Sequence, residues 1–289
     1  MAKDQVVLMA GLNITMPAPH NAERYTELLK KVYRDKQIVS VRGVHGAALG
    51  SLYPLDKEDP QDGWAGEIYY FVQLNKNEPW FDVNSREEAS EEDIRKISIP
   101  DNLKPHLTRF PFVFFPKKHR IYYQIRVGNS SFSPQSAKKF FDVLFLLPGI
   151  ETYGTIEVTV IPEKDSVTSV LSIANLRHIK IELVRPNPDD HEEFERRFLE
   201  RLERQGAGKL QFDLAAASGN TLTPDEETLA LAEVAAENGY VRARGKTAAG
   251  EPVDRSTKNI PLIEREWYSP DVQTALGALI NKARALIRR

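Results

Sequence analysis

The sequence predicts an α+β fold of two α/β sandwich-like domains, with mixed or antiparallel sheets and packed helices. Three observations carry this. At 289 residues, 41% of them hydrophobic and 28% charged, the chain can bury one large or two ordinary cores. Dense or alternating apolar runs take turns with stretches of near-helical apolar spacing, as expected when helices cover a sheet. A turn-rich stretch, Gly128-Asn129-Ser130-Ser131-Phe132-Ser133-Pro134, separates two strongly patterned halves and sets the expected domains at 1–130 and 131–289.

Residues 6–14 read as a strand. Residues 21–34 read as a helix, with Tyr25, Leu28, Leu29 and Val32 on one stripe and Asn21 as N-cap. A single strand is expected over 38–52, its Gly43 and Gly46 taken as strand glycines, and another over 67–74, where Ile68-Tyr69-Tyr70-Phe71-Val72 suits a buried position. After Trp80-Phe81-Asp82 comes a short acidic helix, 90–97, with Ser90 and Asp93 in capping-box relation. Strands 109–115 and 120–127 make a hairpin across Pro116-Lys117-Lys118-His119.

The second half predicts helix 135–147, strand 155–161, a short helix near 166–173 and strand 178–184. Helix 189–205 follows, with Phe194, Phe198 and Leu202 as its stripe, Glu192/Arg196, Glu193/Arg197 and Glu200/Arg204 as i,i+4 pairs, and Gly206 as its end. Strand 209–216, helix 224–238 with Gly239 as its stop, one or two strands within 240–263 and a final helix 270–288 complete the order.

The net charge of −2 argues against a polyanionic partner only if the charges are evenly mixed. They are not. Residues 1–53 carry a net of +3, 54–101 a net of −8, 102–141 a net of +8, 142–186 a net of −2, 187–239 a net of −8 and 240–289 a net of +5. The block 102–141 holds Lys104, Arg109, Lys117, Lys118, Arg120, Arg126, Lys138 and Lys139 and no acidic residue. Solvated faces that neutralise one another explain any single block. Two separated basic blocks raise the expectation of a binding face.

No cysteine occurs, which excludes disulfide scaffolds, cysteine-ligated zinc and a thiol nucleophile. No phosphate-cradling G-x-x-x-x-G-K-[ST], G-x-G-x-x-G, G-x-S-x-G or H-E-x-x-H motif is present. His20, His45, His106, His119, His178 and His191 are scattered. Neither Asp101 nor Asp189 is followed by the paired carboxylate and lysine of a metal nuclease. No catalytic residue, metal or cofactor is therefore expected, and the chain is read as a non-enzyme. With no stretch approaching the ~20 apolar residues of a membrane span, no direct membrane insertion is expected and the cytoplasm is the expected compartment.

In the first basic block the cations interleave with Phe110, Phe112, Phe114, Phe115, Tyr122, Tyr123, Phe132, Phe140 and Phe141, a mixture suited to phosphate and base contact. Most of these rings are assigned to the core. The cations are harder to bury. Lys117, Lys118 and Arg120 stand with His119 at a hairpin tip, Arg126 follows on the return strand, and Lys138 and Lys139 open a helix where a phosphate would be favoured. Arg242, Arg244 and Lys246 alternate and so share one side of a strand. These nine are the candidate nucleic-acid contacts. Six of them on phosphates of B-DNA would give a log–log salt slope of roughly −5.

Phe110-Pro111-Phe112-Val113-Phe114-Phe115, the following strand, Gly128-Asn129-Ser130-Ser131 and the helix after it resemble the middle of the RexA family of phage-exclusion proteins. The similarity continues through the strand ending at Arg185-Pro186, the helix around 192–204, the strand 210–216 and the C-terminal helix, and it covers most of the chain as order and spacing. Residues 66–74 and Trp80-Phe81-Asp82 also resemble a bacterial family associated with phage-defence loci. The resemblance implies a cytoplasmic, dimeric, two-domain α+β protein that binds DNA with little sequence preference. It implies a sensor in abortive infection, acting with a membrane-protein effector rather than by catalysis. No residue role carries over, and the acidic block 54–101 departs from the pattern. RNA is the other candidate polyanion. The competing classes are a homo-oligomeric protein–protein interaction module, in which acidic and basic blocks dock, and a nuclease-like effector with a dispersed site.

Overall fold

The computed structural model describes residues 3–19, 21–75, 77–184 and 193–288. Strand β1 (Gln5–Thr15) is eleven residues long and buried from Val7 onward. It is followed by α1 (Ala22–Arg34), whose N-cap Asn21 accepts from the Arg24 amide at 2.9 Å. The stretch expected as one strand over 38–52 is instead a hairpin, β2 (Val39–Arg42) and β3 (His45–Pro54). Gly43 makes the turn at φ +49, a left-handed conformation that favours glycine, so it serves a turn and not the expected strand. β4 (Trp64–Val72) pairs with β3 and leads into an exposed excursion. That excursion holds the ribbon β5 (Phe81–Asp82) and β6 (Glu87–Glu88) and the helix α2 (Glu91–Lys96), capped by Ser90 and without a buried residue.

β7 (Thr108–Phe115) and β8 (Arg120–Gln124) form the expected hairpin. The short β9 (Arg126–Val127) and β10 (Ser130–Ser131) lead to α3 (Pro134–Leu144), capped by Ser133. β11 (Glu157–Val160) then joins the sheet. All of these except β5, β6, β9 and β10 build one antiparallel sheet in the order β11-β1-β8-β7-β4-β3-β2.

A second, four-stranded antiparallel sheet runs β13 (Lys209–Ala215), β12 (Asn175–Val184), β14 (Gly239–Lys246) and β15 (Pro252–Ser256). Its inner face is covered by α4 (Ser166–Leu171), α5 (Glu193–Arg204) and α6 (Glu226–Glu237). The chain then returns to the first sheet. β16 (Glu264–Tyr268) pairs with the first half of β1, and α7 (Ala275–Ile287) lies on the sheet beside it. The α+β class, with antiparallel sheets and packed helices, is as the sequence predicts.

The large sheet is buried on both faces. Even-numbered residues of β1 (Ala10, Leu12, Ile14) face the core under α1 and α3, and Val7 and Met9 face α7. All nine interleaved rings of the first basic block are buried, so none is available for base stacking. Phe132 is the sharpest case. It lies in the turn-rich stretch expected to divide the domains, yet it is fully buried and packs against the rings of Tyr70, Phe110, Tyr123 and Phe140 at 5.5–6.1 Å. A division after residue 130 therefore does not coincide with the two cores, because α3, β11, β16 and α7 all pack on the first sheet.

Three further differences have local causes. Gly239 does not stop α6 by a left-handed turn; it opens β14, and a Cβ there would lie 2.0 Å from the Glu182 carbonyl oxygen. The sequence pattern assigns no element to 264–269, a charged stretch, and the structure places β16 there. The last helix starts at Ala275 behind the cap Thr274, five residues later than expected. Residues 189–192, the start of the predicted helix 189–205, lie outside the described residues, as do the side chain of Phe194, His20 and His191.

Candidate nucleic-acid interface

The small sheet differs from the large one in having a free face. Its strands alternate: Ile179, Ile181, Leu183, Val241 and Ala243 point inward to α4, α5 and α6, and the residues between them point outward. Register places Lys180 opposite Arg242 on one side and Asp213 on the other, and His178 opposite Arg244. Arg244 in turn faces Asp254 on β15, and Lys209 faces Val184 at the end of β12. The outward row of β14 is Tyr240, Arg242, Arg244 and Lys246, the alternation the sequence indicated.

This face carries six cations (Lys180, Lys209, Arg242, Arg244, Lys246 and Lys258) against three carboxylates (Glu182, Asp213 and Asp254), an excess of three positive charges. One carboxylate bridges two arginines: Asp254 accepts from Arg242 Nε at 2.8 Å and Nη2 at 2.5 Å, and from Arg244 Nε at 3.1 Å. The Arg242 hydrogen bonds hold the Asp254 carboxyl below the usual carboxylate range, with Arg244 adding to them. Glu182 accepts from Lys209 at 2.8 Å and from Gln211 at 3.2 Å. Burial pushes its pKa up, but the Lys209 contact and its charge outweigh that and hold Glu182 low. His178 Nε2 lies 2.6 Å from Asp213 Oδ1. Lys180 and Lys246 make no ion pair among the described residues.

The two basic blocks meet at Lys258. Its ammonium sits 3.6 Å from the centroid of the Tyr240 ring, within cation–π range. Gln135, at the start of α3, donates to its backbone carbonyl at 3.1 Å. Burial pushes the Lys258 pKa down, and the charges of Lys138, Lys209 and Lys180 push it the same way against Glu182. Burial is the larger cause, and the three lysines that add to it show that Lys258 stands among like charges.

The sequence candidates fare unequally. Arg242, Arg244 and Lys246 lie together on the open face, and Lys138 adds to its field while pairing with Asp142 at 2.6 Å. The others are elsewhere. Lys117 pairs with Asp59 at 3.1 Å, and Arg120 with Glu237 on α6 at 2.7 Å. Lys118, in the same hairpin turn, is not on the open sheet. Lys139 turns away from Lys138 to donate to the Val41 carbonyl at 3.3 Å. Arg126 lies in a cleft on the large sheet. The hairpin tip is not a cluster of solvated groups, since His119 is 2% exposed and packs on the Tyr25 ring at 4.4 Å. Reasoning from clustered cations missed Lys180, Lys209 and Lys258. The alternation His178-Ile179-Lys180-Ile181-Glu182 could have found the first of these.

Among the described residues, no helix is long and apolar enough to cross a membrane, and no three His, Asp or Glu side chains are gathered where they could hold a metal ion. A family model described as "Domain of unknown function (DUF4747)" matches residues 7–284. No curated protein matches the chain.

Proposed function

The chain belongs to the DUF4747 family, and we propose that it binds nucleic acid through the backbone, with little sequence preference, as a sensor in phage exclusion. The observation that carries the binding reading is the open face of the β13-β12-β14-β15 sheet, where alternate residues of three strands present five cations, Lys258 in the turn after β15 adds a sixth, and no helix among the described residues covers them. Cations on a strand face repeat about every 6.6–6.8 Å along the strand, close to the spacing of successive phosphates on an extended single strand or along one groove wall of a duplex. Their contacts fix position rather than sequence. The defence role rests on the resemblance of segment order to the RexA family, which also supports a homodimer working in the cytoplasm with a membrane-protein effector.

A gel-shift titration with duplex and single-stranded DNA and with RNA, at ~50 mM and ~200 mM salt, tests the binding reading. Because three carboxylates already neutralise half of the cations, the expected log–log slope is roughly −3 on duplex DNA rather than −5. No shift with any of the three polymers at low salt would sink the proposal.

One observation favours a second reading, the homo-oligomeric module. The acidic excursion after β4 exposes Phe81 at 67% and Val83 at 72%, apolar groups set among carboxylates that could dock on a basic face. Salt-sensitive self-association without affinity for any nucleic acid would select it.

A further inference from the structure

The face of the large sheet that carries α7 has a second concave site, at the end of β1 opposite the Asn13 contact with Asn238 on the α6 side. The two ends of β1 are eight residues apart, roughly 26 Å at strand rise. The cleft is open to solvent on one side, with a volume of about 490 Å³. Arg109 of β7 and Arg126 of β9 line it, with Gln124 of β8, Gln5 of β1, Tyr268 of β16 and Ala275, the first residue of α7. Both arginines are exposed, and no carboxylate is among the lining residues. Neither arginine makes an ion pair among the described residues, although Arg109 stands 5.6 Å from the Tyr69 ring centroid.

The polar groups around the arginines are already oriented. The Tyr268 hydroxyl donates to Gln5 Oε1 at 2.7 Å, which fixes the Gln5 amide with its NH₂ free to donate elsewhere. Gln124 Nε2 donates to the Arg126 carbonyl at 2.7 Å, tying the β8 end to the turn that carries Arg126. Two guanidinium forks beside an amide donor offer more N–H groups than the two oxygens of one carboxylate can accept, whereas a phosphoryl group offers three oxygens and a higher charge. Pro111 and Ala275 give the cleft an apolar wall on this face of the sheet, and it is larger than a phosphate needs.

We propose that this cleft binds a phosphomonoester of about nucleotide size, its phosphoryl group held between Arg109 and Arg126 and its organic part against Pro111 and Ala275. The same chemistry is presented by a free mononucleotide and by the 5′-phosphoryl end of a nucleic acid. The site is separate from the open face of the small sheet.

Isothermal titration of the full chain with 5′-AMP, with inorganic phosphate, and with a short oligonucleotide carrying a 5′-phosphate or a 5′-hydroxyl tests it. Saturable 5′-AMP binding is expected, weaker for inorganic phosphate, and reduced roughly 10-fold or more by Arg109→Gln or Arg126→Gln, since a charged hydrogen bond to phosphate is worth about 1.5–3 kcal/mol. Arg109→Lys, which keeps the charge and loses the fork, should recover only part of the affinity, and Arg242→Gln should leave 5′-AMP binding unchanged. Preference for the 5′-phosphoryl over the 5′-hydroxyl oligonucleotide, with no binding of 5′-AMP, would assign the site to a nucleic-acid end. Absence of saturable binding by every phosphorylated probe would overturn the proposal. So would equal affinity in Arg109→Gln and Arg126→Gln proteins whose thermal unfolding matches that of the unaltered chain.

Discussion

The two sheets use similar strands for different ends. In the large sheet, both faces of β1, β7 and β8 are covered, by α1 and α3 on one side and α7 on the other, and aromatic side chains fill the space. In the small sheet, β12 and β14 alternate strictly, with one face against α4, α5 and α6 and the other in solvent. A cation at the rim of the large sheet finds a local partner, as Lys117 does in Asp59 and Lys282 in Glu264. On the small sheet the cations outnumber their carboxylates, two arginines sharing Asp254 while Lys180 and Lys246 make no ion pair among the described residues. The difference teaches that a basic block in sequence is not a basic surface. What matters is whether the fold gives each charge an opposite neighbour: the open face leaves an excess, and on the large sheet the Arg109–Arg126 cleft does so among the described residues.

The comparison breaks most visibly if the large sheet does not carry the stability. Phe132 is in ring contact with four other aromatic side chains and is fully buried. Phe132→Ala should therefore cost about 3–5 kcal/mol, the transfer term plus the cavity it leaves. Urea unfolding followed by tryptophan fluorescence measures it. A loss near the ~1 kcal/mol typical of point substitutions would mean that the stretch 128–134 is the linker its composition suggests.

A second expected effect separates binding from stability. Arg242→Glu combined with Arg244→Glu removes two cations and adds two carboxylates beside Asp254, and should weaken nucleic-acid binding roughly 100-fold at low salt, alike for all sequences. Both side chains are about half exposed, so the unfolding midpoint should scarcely move. Lys117→Glu, on the large sheet and already paired, should change affinity little. Equal losses from the two changes, in parallel gel-shift titrations, would erase the distinction between the sheets.

How much of this was legible in the sequence depends on the range of the interaction. Local signals were read well: the Asn21 and Ser90 caps, the β7–β8 hairpin and the alternation of Arg242, Arg244 and Lys246 each rest on residues within a few positions of one another. Signals that need a distant partner were not. Glu264-Arg265-Glu266 becomes a strand because β1, some 255 residues earlier, offers an unpaired edge, and because Lys282 on α7 neutralises Glu264 at 3.0 Å and reaches Glu266 at 4.0 Å. Phe132 looks like part of a turn because its neighbours are Ser and Gly, and its partners lie on β4, β7, β8 and α3. Of the candidate site, the β14 row was visible, whereas Lys180, Lys209 and Lys258 join it only through pairing of β12, β13 and β14 and the return of the chain past Tyr240.

The smallest expected effect is the most specific, because it reverses the sign of a substitution. Asp254 competes with phosphate for Arg242 and Arg244, so Asp254→Asn should tighten nucleic-acid binding. Removing one unit charge at ~5 Å in water is worth about 0.8 kcal/mol, or roughly 4-fold in affinity. The pH dependence fixes the cause. The Arg242 hydrogen bonds lower the folded-state pKa of Asp254 below its ordinary 3.8, so its stabilising pair with the arginines is complete above the unfolded pKa and is lost only as pH falls through the lower folded value. Between about pH 5 and 8 the carboxylate stays ionised, and the ratio of affinities between the Asp254→Asn and unaltered proteins should be flat across that window. A ratio that shrinks toward 1 on approaching pH 5 would show a carboxylate titrating without its arginine partners, and the bridge at the centre of the open face would have to be redrawn.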